Sequence, residues 1–171
     1  MAGLASLRPR PGDVVGYATR IALRELGRRA QFPGGQLRRL DQLIVPLVTA
    51  RAPGLLALYG TGPNTAALLL IAAGDHPGRL RSEAAWAHLC GAAPIPASAG
   101  KTVRHRPGPG GDRQAGHALR RIVFTRLGSP PATRAHAERR TQEGKSKAEI
   151  IRCLKRYAAR EVYPHLRPPA G

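Results

Sequence analysis

Residues 60–70 read GTGPNTAALLL and follow a short apolar segment at residues 55–59, which together predict two helices joined by a glycine turn. Gly60 and Gly62 carry no Cβ, so the backbone there can adopt left-handed angles and approach a ligand closely. Pro63 suits the first position of the second helix, where its missing N–H costs nothing. Since a helix N-terminus attracts anions, this turn is also a candidate phosphate site.

The arrangement is similar to the helix-hairpin-helix, a motif that binds the DNA backbone through a hydrophobic-x-x-Gly-x-Gly turn followed by a helix. We place the motif at residues 55–73, with Gly60, Gly62 and Thr65 as the candidate DNA contacts. A glycine turn between two core helices, with no ligand, explains the same residues equally well. The motif alone therefore leaves both interpretations open.

The charge balance favours a polyanionic partner. The chain has 28 Lys and Arg residues against 10 Asp and Glu residues, a formal net charge of +18 over 171 residues. Such a chain gains salt-sensitive affinity for nucleic acid by neutralising phosphates and releasing their counterions. A GC-rich coding sequence would explain why nearly all the cations are Arg, but it does not explain the shortage of acids.

Composition also bounds the fold class and the cellular setting. Aromatic residues make up only 4% of the chain, so the core must use aliphatic side chains, which favours a mainly α protein. Cys90 and Cys153 are isolated, which argues against a zinc site or a disulfide framework. No run of 18 apolar residues and no secretory leader is evident, so we expect a cytoplasmic protein with no membrane partner.

The chain divides into four predicted segments. Residues 1–13 read as a disordered basic leader. Residues 14–50 read as a helical hairpin or coiled-coil arm, because Phe32-Pro33-Gly34-Gly35 is expected to break the helix into two. Residues 51–166 form the main helical domain, and residues 167–171 form a tail.

Within the main domain, residues 91–112 form a long Gly/Pro-rich loop, which could carry a short β-hairpin around residues 101–106. Loops of this length are usually functional or disordered. Helices are predicted at about 113–127, 133–143 and 146–163, and Ser146 with Glu149 opens the last one as a capping box. Its polar side is predicted to face solvent or phosphate through Arg152, Lys155, Arg156 and Arg160.

The first of these helices has a basic face that follows the Gly110-Gly111-Asp112 turn. Its members are Arg113, His117, Arg120 and Arg121. A charged helix face is usually only a solvated face, but the glycine turn adds a second potential phosphate-binding helix start. Arg113 and Arg120 are therefore candidate DNA contacts.

Ser98 lies in a flexible, basic stretch bounded by glycine and is the candidate nucleophile. A serine that attacks a phosphodiester needs cations to stabilise its alkoxide and the developing charge on phosphorus. Lys101, Arg104 and Arg106 are the nearest cations and are also candidate DNA contacts. Loop serines beside glycine are far more often ordinary turn residues.

The acids are scattered at one or two per segment, whereas a two-metal nuclease site needs several carboxylates that converge on ions about 4 Å apart. No metal site is predicted in this chain, and nothing in it looks sufficient for DNA cleavage.

Four motifs in order carry a more specific resemblance: GTGPNTAALLL, then RLRSEAAWAHLCGAAPIPASAGKT, then GGDRQAGHALRRIV, then ERRTQEGKSKAEIIRCLKRYAAREVYPHL. Over residues 14–166 the chain resembles the C-terminal domain of the bacterial insertion-sequence transposases with a DEDD acidic tetrad, which are bridge-RNA-guided recombinases. The resemblance implies an N-terminal domain with four acids that bind a divalent metal such as Mg²⁺, and a helical arm for dimer contacts. It also implies a nucleophilic serine at the position of Ser98.

The acidic tetrad has no match in this sequence. The resemblance therefore implies a truncated transposase copy that takes part in DNA transposition and recombination but is inactive alone. Its expected partners are DNA, a guide RNA, and a second copy or an intact transposase bound through the arm. The alternative is a stand-alone basic nucleic-acid-binding protein without catalysis.

Overall fold

The computed structural model describes residues 2–8, 12–74, 78, 80–96, 105–106 and 110–166. Two compact units divide the chain, one at residues 1–44 and the other at 45–171. The protein is mainly α-helical, as the composition predicted. The elements in chain order are α1 (Ala2–Ala5), α2 (Val14–Arg51), α3 (Pro53–Ala57), α4 (Pro63–Ala73), α5 (Glu83–Leu89), β1 (Ile95–Pro96), β2 (His105–Arg106), α6 (Arg113–Gly128), α7 (Pro131–Gln142), α8 (Lys147–Val162) and a 3-10 helix (Tyr163–Leu166).

The first unit contains α1, a helix within the segment predicted to be disordered. A Cβ added to Gly27 would lie 2.8 Å from the backbone nitrogen of Ala5 and 3.0 Å from the Cβ of Leu4, so α1 packs closely on that glycine. The prediction of disorder is therefore wrong for residues 2–5. Composition missed this contact because it depends on a glycine more than twenty residues away.

The predicted helix break at residues 32–35 is also wrong, because α2 runs without interruption from Val14 to Arg51. A proline inside a helix costs about 3 kcal/mol through its missing N–H and its ring. That cost is local, and prolines inside long helices commonly bend them without ending them. The hydrogen bonds of a 38-residue helix outweigh the one that is lost.

The core of the second unit forms around α6, which packs against α4, α7 and α8. Apolar residues recur along α6 at helical spacing, so one face of the helix is continuously buried. The largest fully buried side chains of the unit come from α3, α4, α5, α6 and α8 and from the turn after α5: Leu55, Leu69, Trp86, Leu119, Ile122, Val123, Val162 and Cys90.

Three helices begin at the capping residues that the sequence contains. The Ser82 hydroxyl accepts a hydrogen bond from the Ala85 N–H at 3.1 Å. Ser146 and Glu149 form the predicted capping box, in which each side chain accepts from the other residue's backbone N–H. Asp112 caps α6 by accepting from the Ala115 N–H at 2.8 Å. Each cap satisfies a backbone donor that has no partner inside its helix.

The two ends of the long loop are held together beside α5. Ile95 pairs with Arg106 across the antiparallel β1–β2 ladder, so the hairpin is wider than the predicted range of 101–106. The Asp112 N–H donates to the Leu89 carbonyl at 2.6 Å. A Cβ on Gly111 would lie 2.5 Å from the Gly91 nitrogen, so this close approach requires glycine.

Candidate nucleic-acid interface

Over residues 55–73 the structure contains the end of α3 and all of α4, with the glycine turn between them. Gly60 has a φ of +85°, a conformation that side-chain-bearing residues rarely adopt. A Cβ at Gly60 would also lie 3.2 Å from the Ile122 carbonyl oxygen. The turn therefore packs closely against α6, and Gly60 is needed for the backbone conformation of the turn.

The N-terminus of α4 is open. Gly62 is the N-cap residue and no side chain caps the helix. The first hydrogen bond of the helix runs from the Ala66 N–H to the Gly62 carbonyl at 2.9 Å. The N–H groups of Asn64 and Thr65 therefore have no acceptor within the helix. Gly62 is exposed, and a Cβ there would have no atom within 4 Å. These uncapped donors at the positive end of a helix suit an anion.

The two threonines of the motif lie inside the protein. Thr61 is 6% exposed and Thr65 is 4% exposed. Among the described residues, the Thr61 Oγ1 has no hydrogen-bond partner. Because the Thr65 side chain is buried, any contact between Thr65 and a phosphate would have to use its backbone N–H.

Arg126 fixes the turn to two helices. Its Nε donates to the Tyr59 carbonyl at 2.9 Å, and its Nη1 forms an ion pair with Glu161 on α8 at 2.7 Å. The guanidinium side chain is 14% exposed. The sequence analysis missed this positioning residue, because an arginine in a basic helix gives no local sign that its partner lies 67 positions away.

The basic face of α6 is exposed as predicted, and its members are Arg113, His117, Arg120 and Arg121. The Arg120 guanidinium carbon lies 5.1 Å from the centre of the Phe124 ring, a cation–π contact that holds this side chain near its own helix. The second predicted phosphate-binding helix start is already filled, since the Asp112 carboxylate caps α6.

Two of the four cations predicted on the polar side of α8 are not freely solvated. Arg156 forms a two-pronged ion pair with Glu83, with Nη2 and Oε2 2.8 Å apart. Lys155 is partly buried against α6, where a Cβ on Gly116 would lie 3.5 Å from its Nζ. Arg160 is exposed, as predicted. Helical spacing places a residue on a face, but it does not tell which partner covers that face.

The candidate catalytic residues Ser98, Lys101 and Arg104 lie outside the described residues. Arg106 contributes its backbone to β2. In the part of the chain that the structure describes, no three His, Cys, Asp or Glu side chains form a group that could hold a metal ion. No helix among the described residues is long and apolar enough to cross a membrane.

The resemblance assigns its divalent metal to an N-terminal domain, and most acidic side chains of this chain have partners among the described residues. Seven of the ten acidic side chains accept a backbone hydrogen bond or pair with an arginine: Asp13, Glu25, Glu83, Asp112, Glu143, Glu149 and Glu161. Asp112 and Glu149 cap helices, Glu83 and Glu161 join two helices each, and Glu25 and Glu143 pair with arginines three residues away.

The described part of this basic chain is mainly helical, and its glycine turn leads to a helix start that no side chain caps. Residues 53–138, half of the chain, match the profile of the Transposase IS116/IS110/IS902 family, and the chain belongs to that family. It is similar to the "Insertion element IS110 uncharacterized 43.6 kDa protein" of Streptomyces coelicolor (strain ATCC BAA-471 / A3(2) / M145), at 30% identity over 135 residues. The match covers 77% of this chain and 33% of the relative, so the chain spans about a third of that protein's length.

Proposed function

We propose that this chain is a DNA-binding portion of an IS110-family transposase and that it contacts the DNA backbone in transposition and recombination. The observation that carries this proposal is the open N-terminus of α4 at Gly62, which has no side-chain cap. Family membership and the net charge of +18 support it. The sequence-independent attraction of such a surface for phosphate gives the chain its affinity for DNA.

A backbone phosphate would accept hydrogen bonds from the N–H groups of Gly62, Asn64 and Thr65, at the positive end of the α4 dipole. Gly60 and Arg126 keep the turn in place and do not touch the phosphate. Arg113 and Arg120 on α6 add longer-range attraction to the same polyanion. This arrangement positions DNA without reading its sequence.

We further propose that this chain does not transfer DNA strands by itself. The family resemblance assigns the metal-binding acids to an N-terminal domain, and the acids described in this chain serve its own fold. In that scheme Ser98 is the nucleophile, with Lys101 and Arg104 as charge stabilisers. In that scheme these residues act on DNA only together with a domain that carries the acidic tetrad. A guide RNA would be a partner of that assembly.

Binding to duplex DNA at a series of salt concentrations tests the proposal. We expect the isolated chain to bind two duplexes of unrelated sequence with similar affinity. We also expect log Kobs to fall against log[salt] by about 0.9 per phosphate contacted, so three contacts would weaken binding about 40-fold between 50 and 200 mM salt. Fluorescence anisotropy measures this dependence. An affinity that does not change with salt would contradict the proposal.

A stand-alone basic protein without catalysis predicts the same salt dependence, so a second experiment must separate the two functions. Adding an acidic-tetrad domain in trans should yield a covalent link between this chain and DNA, and Ser98→Ala should abolish the link. The covalent product is detected by denaturing electrophoresis of labelled DNA. If wild type and Ser98→Ala give no link with an otherwise active N-terminal domain, the stand-alone alternative is favoured.

The arm helix α2 supports an oligomeric partner. Leu37, Leu40 and Leu43 are each more than half exposed, at 60%, 52% and 58%. Exposed leucines at helical spacing are typical of a surface that packs against another helix. We propose that this surface binds a second copy of the chain.

Leu40→Glu is expected to convert an oligomer into a monomer, because a charge would be buried in the helix–helix contact. Light scattering coupled to size-exclusion chromatography measures the mass. Gln42→Glu is the matched control, since Gln42 is an exposed polar residue on the same helix and the change adds the same charge. Equal masses for wild type and Leu40→Glu would contradict an interface at Leu40.

A further inference from the structure

Tyr59 lies in the middle of the glycine turn, and hydrogen bonds on both sides hold its backbone in place. The Thr61 N–H donates to the Leu58 carbonyl at 3.0 Å, which closes a four-residue turn around Tyr59 and Gly60. The Tyr59 carbonyl itself accepts from the Arg126 Nε at 2.9 Å. The side chain is nevertheless 52% exposed, so a fixed backbone presents an aromatic ring to solvent.

The other aromatic rings of the second unit already have contacts. The aromatic side chains of this unit are Tyr59, Trp86, Phe124, Tyr157 and Tyr163. Trp86 and Tyr163 are buried in the core. The Arg120 guanidinium lies over Phe124 at 5.1 Å, and the His136 ring lies 5.6 Å from the Tyr157 ring. Among the described residues of this unit, Tyr59 alone has an exposed ring that contacts neither another ring nor a cation.

The ring is close along the chain to the open start of α4. Tyr59 precedes the N-cap residue Gly62 by three positions, and consecutive Cα atoms are about 3.8 Å apart, so the two Cα atoms are separated by no more than about 11 Å. A strand whose phosphate accepts the N–H groups of Asn64 and Thr65 therefore passes within reach of the Tyr59 side chain.

An aromatic ring beside a phosphate site binds a nucleobase by stacking on its face, which removes the apolar surface of both from water. In an intact duplex the neighbouring base pairs cover both faces of each base, so a ring outside the double helix does not reach them. An unpaired base exposes its face. Stacking on Tyr59 therefore distinguishes an unpaired strand from a duplex, which contacts to phosphate alone do not.

We propose that Tyr59 stacks on an unpaired DNA base next to the phosphate that α4 holds. This proposal rests on the proposed function and names the substrate class of the same site, which is duplex DNA with an unpaired segment such as an overhang. Segments of this kind form where strands are broken and exchanged, as recombination requires.

Two overhangs that differ only in their bases test the proposal on the wild-type chain. One duplex carries a short DNA overhang, and the other carries the same overhang made of abasic nucleotides, which keeps every phosphate. We expect the full chain to bind the overhang with bases about tenfold more tightly, the order of magnitude of one stacked base, and with the same salt slope. Equal affinities for the two duplexes, measured by fluorescence anisotropy, would overturn the proposal.

Substitutions of Tyr59 assign the effect to its ring. Tyr59→Ala should remove the tenfold preference for the overhang with bases, whereas Tyr59→Phe should keep most of it because the ring remains. Tyr157→Ala is the matched control, since it removes a tyrosine of similar exposure, 48%, from α8 and should leave the preference unchanged. Circular dichroism verifies that the variants fold. A preference that persists in Tyr59→Ala, or that is lost equally in Tyr157→Ala, would overturn the assignment to Tyr59.

A ribonucleotide overhang of the same sequence identifies the kind of strand. We expect the chain to bind it no more tightly than the DNA overhang, and tighter binding would overturn the assignment to DNA. Failure of wild type to bind any duplex overturns the proposed function. Normal, salt-dependent binding of duplex without a preference between the intact and abasic overhangs overturns this proposal alone.

Discussion

Trp86→Ala is expected to lower the free energy of unfolding of the second unit by about 3–5 kcal/mol, the largest change in stability for any single side chain of this core. Trp86 is fully buried on α5, a short helix of seven residues that packs against α8. Truncation would remove the aromatic contacts and leave a cavity that the neighbouring helices fill only in part. Its Nε1 has no partner among the described residues, so no lost hydrogen bond adds to the cost.

Urea unfolding followed by circular dichroism measures this effect without depending on tryptophan fluorescence. Ile71→Ala is the control in the same unit, because Ile71 is 71% exposed on α4 and its truncation should change stability by less than about 0.5 kcal/mol. A loss below about 1 kcal/mol for Trp86→Ala would mean that α5 does not pack as the structure has it.

Features that depend on neighbouring residues could be predicted from the sequence. The start of α8 was predicted from the Ser146–Glu149 capping box, and the capping box is present. The glycine turn was predicted from the spacing of Gly60 and Gly62, and Gly60 has the positive φ that this spacing suggested. In each case the deciding interaction lies within a few residues along the chain.

Features that depend on distant residues could not be predicted. The helix break predicted at Pro33 is wrong. The effect of a proline was judged from the adjacent residues alone, whereas the remaining turns of the 38-residue helix α2 keep it continuous. Lys155 was predicted on the polar side of α8, and Arg126 was not predicted to have a role. The residues beside them are distant in the sequence: Gly116 for Lys155, and Tyr59 and Glu161 for Arg126. Arg156 was predicted to face solvent or phosphate, but it forms an ion pair with Glu83 on α5. A basic composition conceals which arginines are already paired.

Gly62→Asp is expected to abolish most of the duplex DNA affinity while leaving the fold at least as stable as wild type. Gly62 is the N-cap of α4 in extended backbone, with φ −82° and ψ 169°, and a Cβ added there would have no atom within 4 Å. Aspartate is a favoured N-cap residue, and its carboxylate would accept the N–H groups that we propose for phosphate. The substitution therefore fills the anion site with a built-in anion.

Gly62→Asn is the matched comparison, because asparagine caps a helix about as well and has nearly the same size but carries no charge. It should compete with phosphate for the same N–H groups without repelling it, and its affinity should lie between those of wild type and Gly62→Asp. Gln142→Glu, at the exposed end of α7, adds the same charge as Gly62→Asp far from the turn in sequence and controls for net charge.

The affinity of Gly62→Asp relative to Gln142→Glu for one duplex, at one moderate salt concentration, tests the central claim most directly. The account predicts that Gly62→Asp binds at least about tenfold more weakly than Gln142→Glu, a difference of about 1.4 kcal/mol, although both carry the same net charge and both are folded. Equal affinities for these two variants would mean that the start of α4 does not contact the DNA backbone.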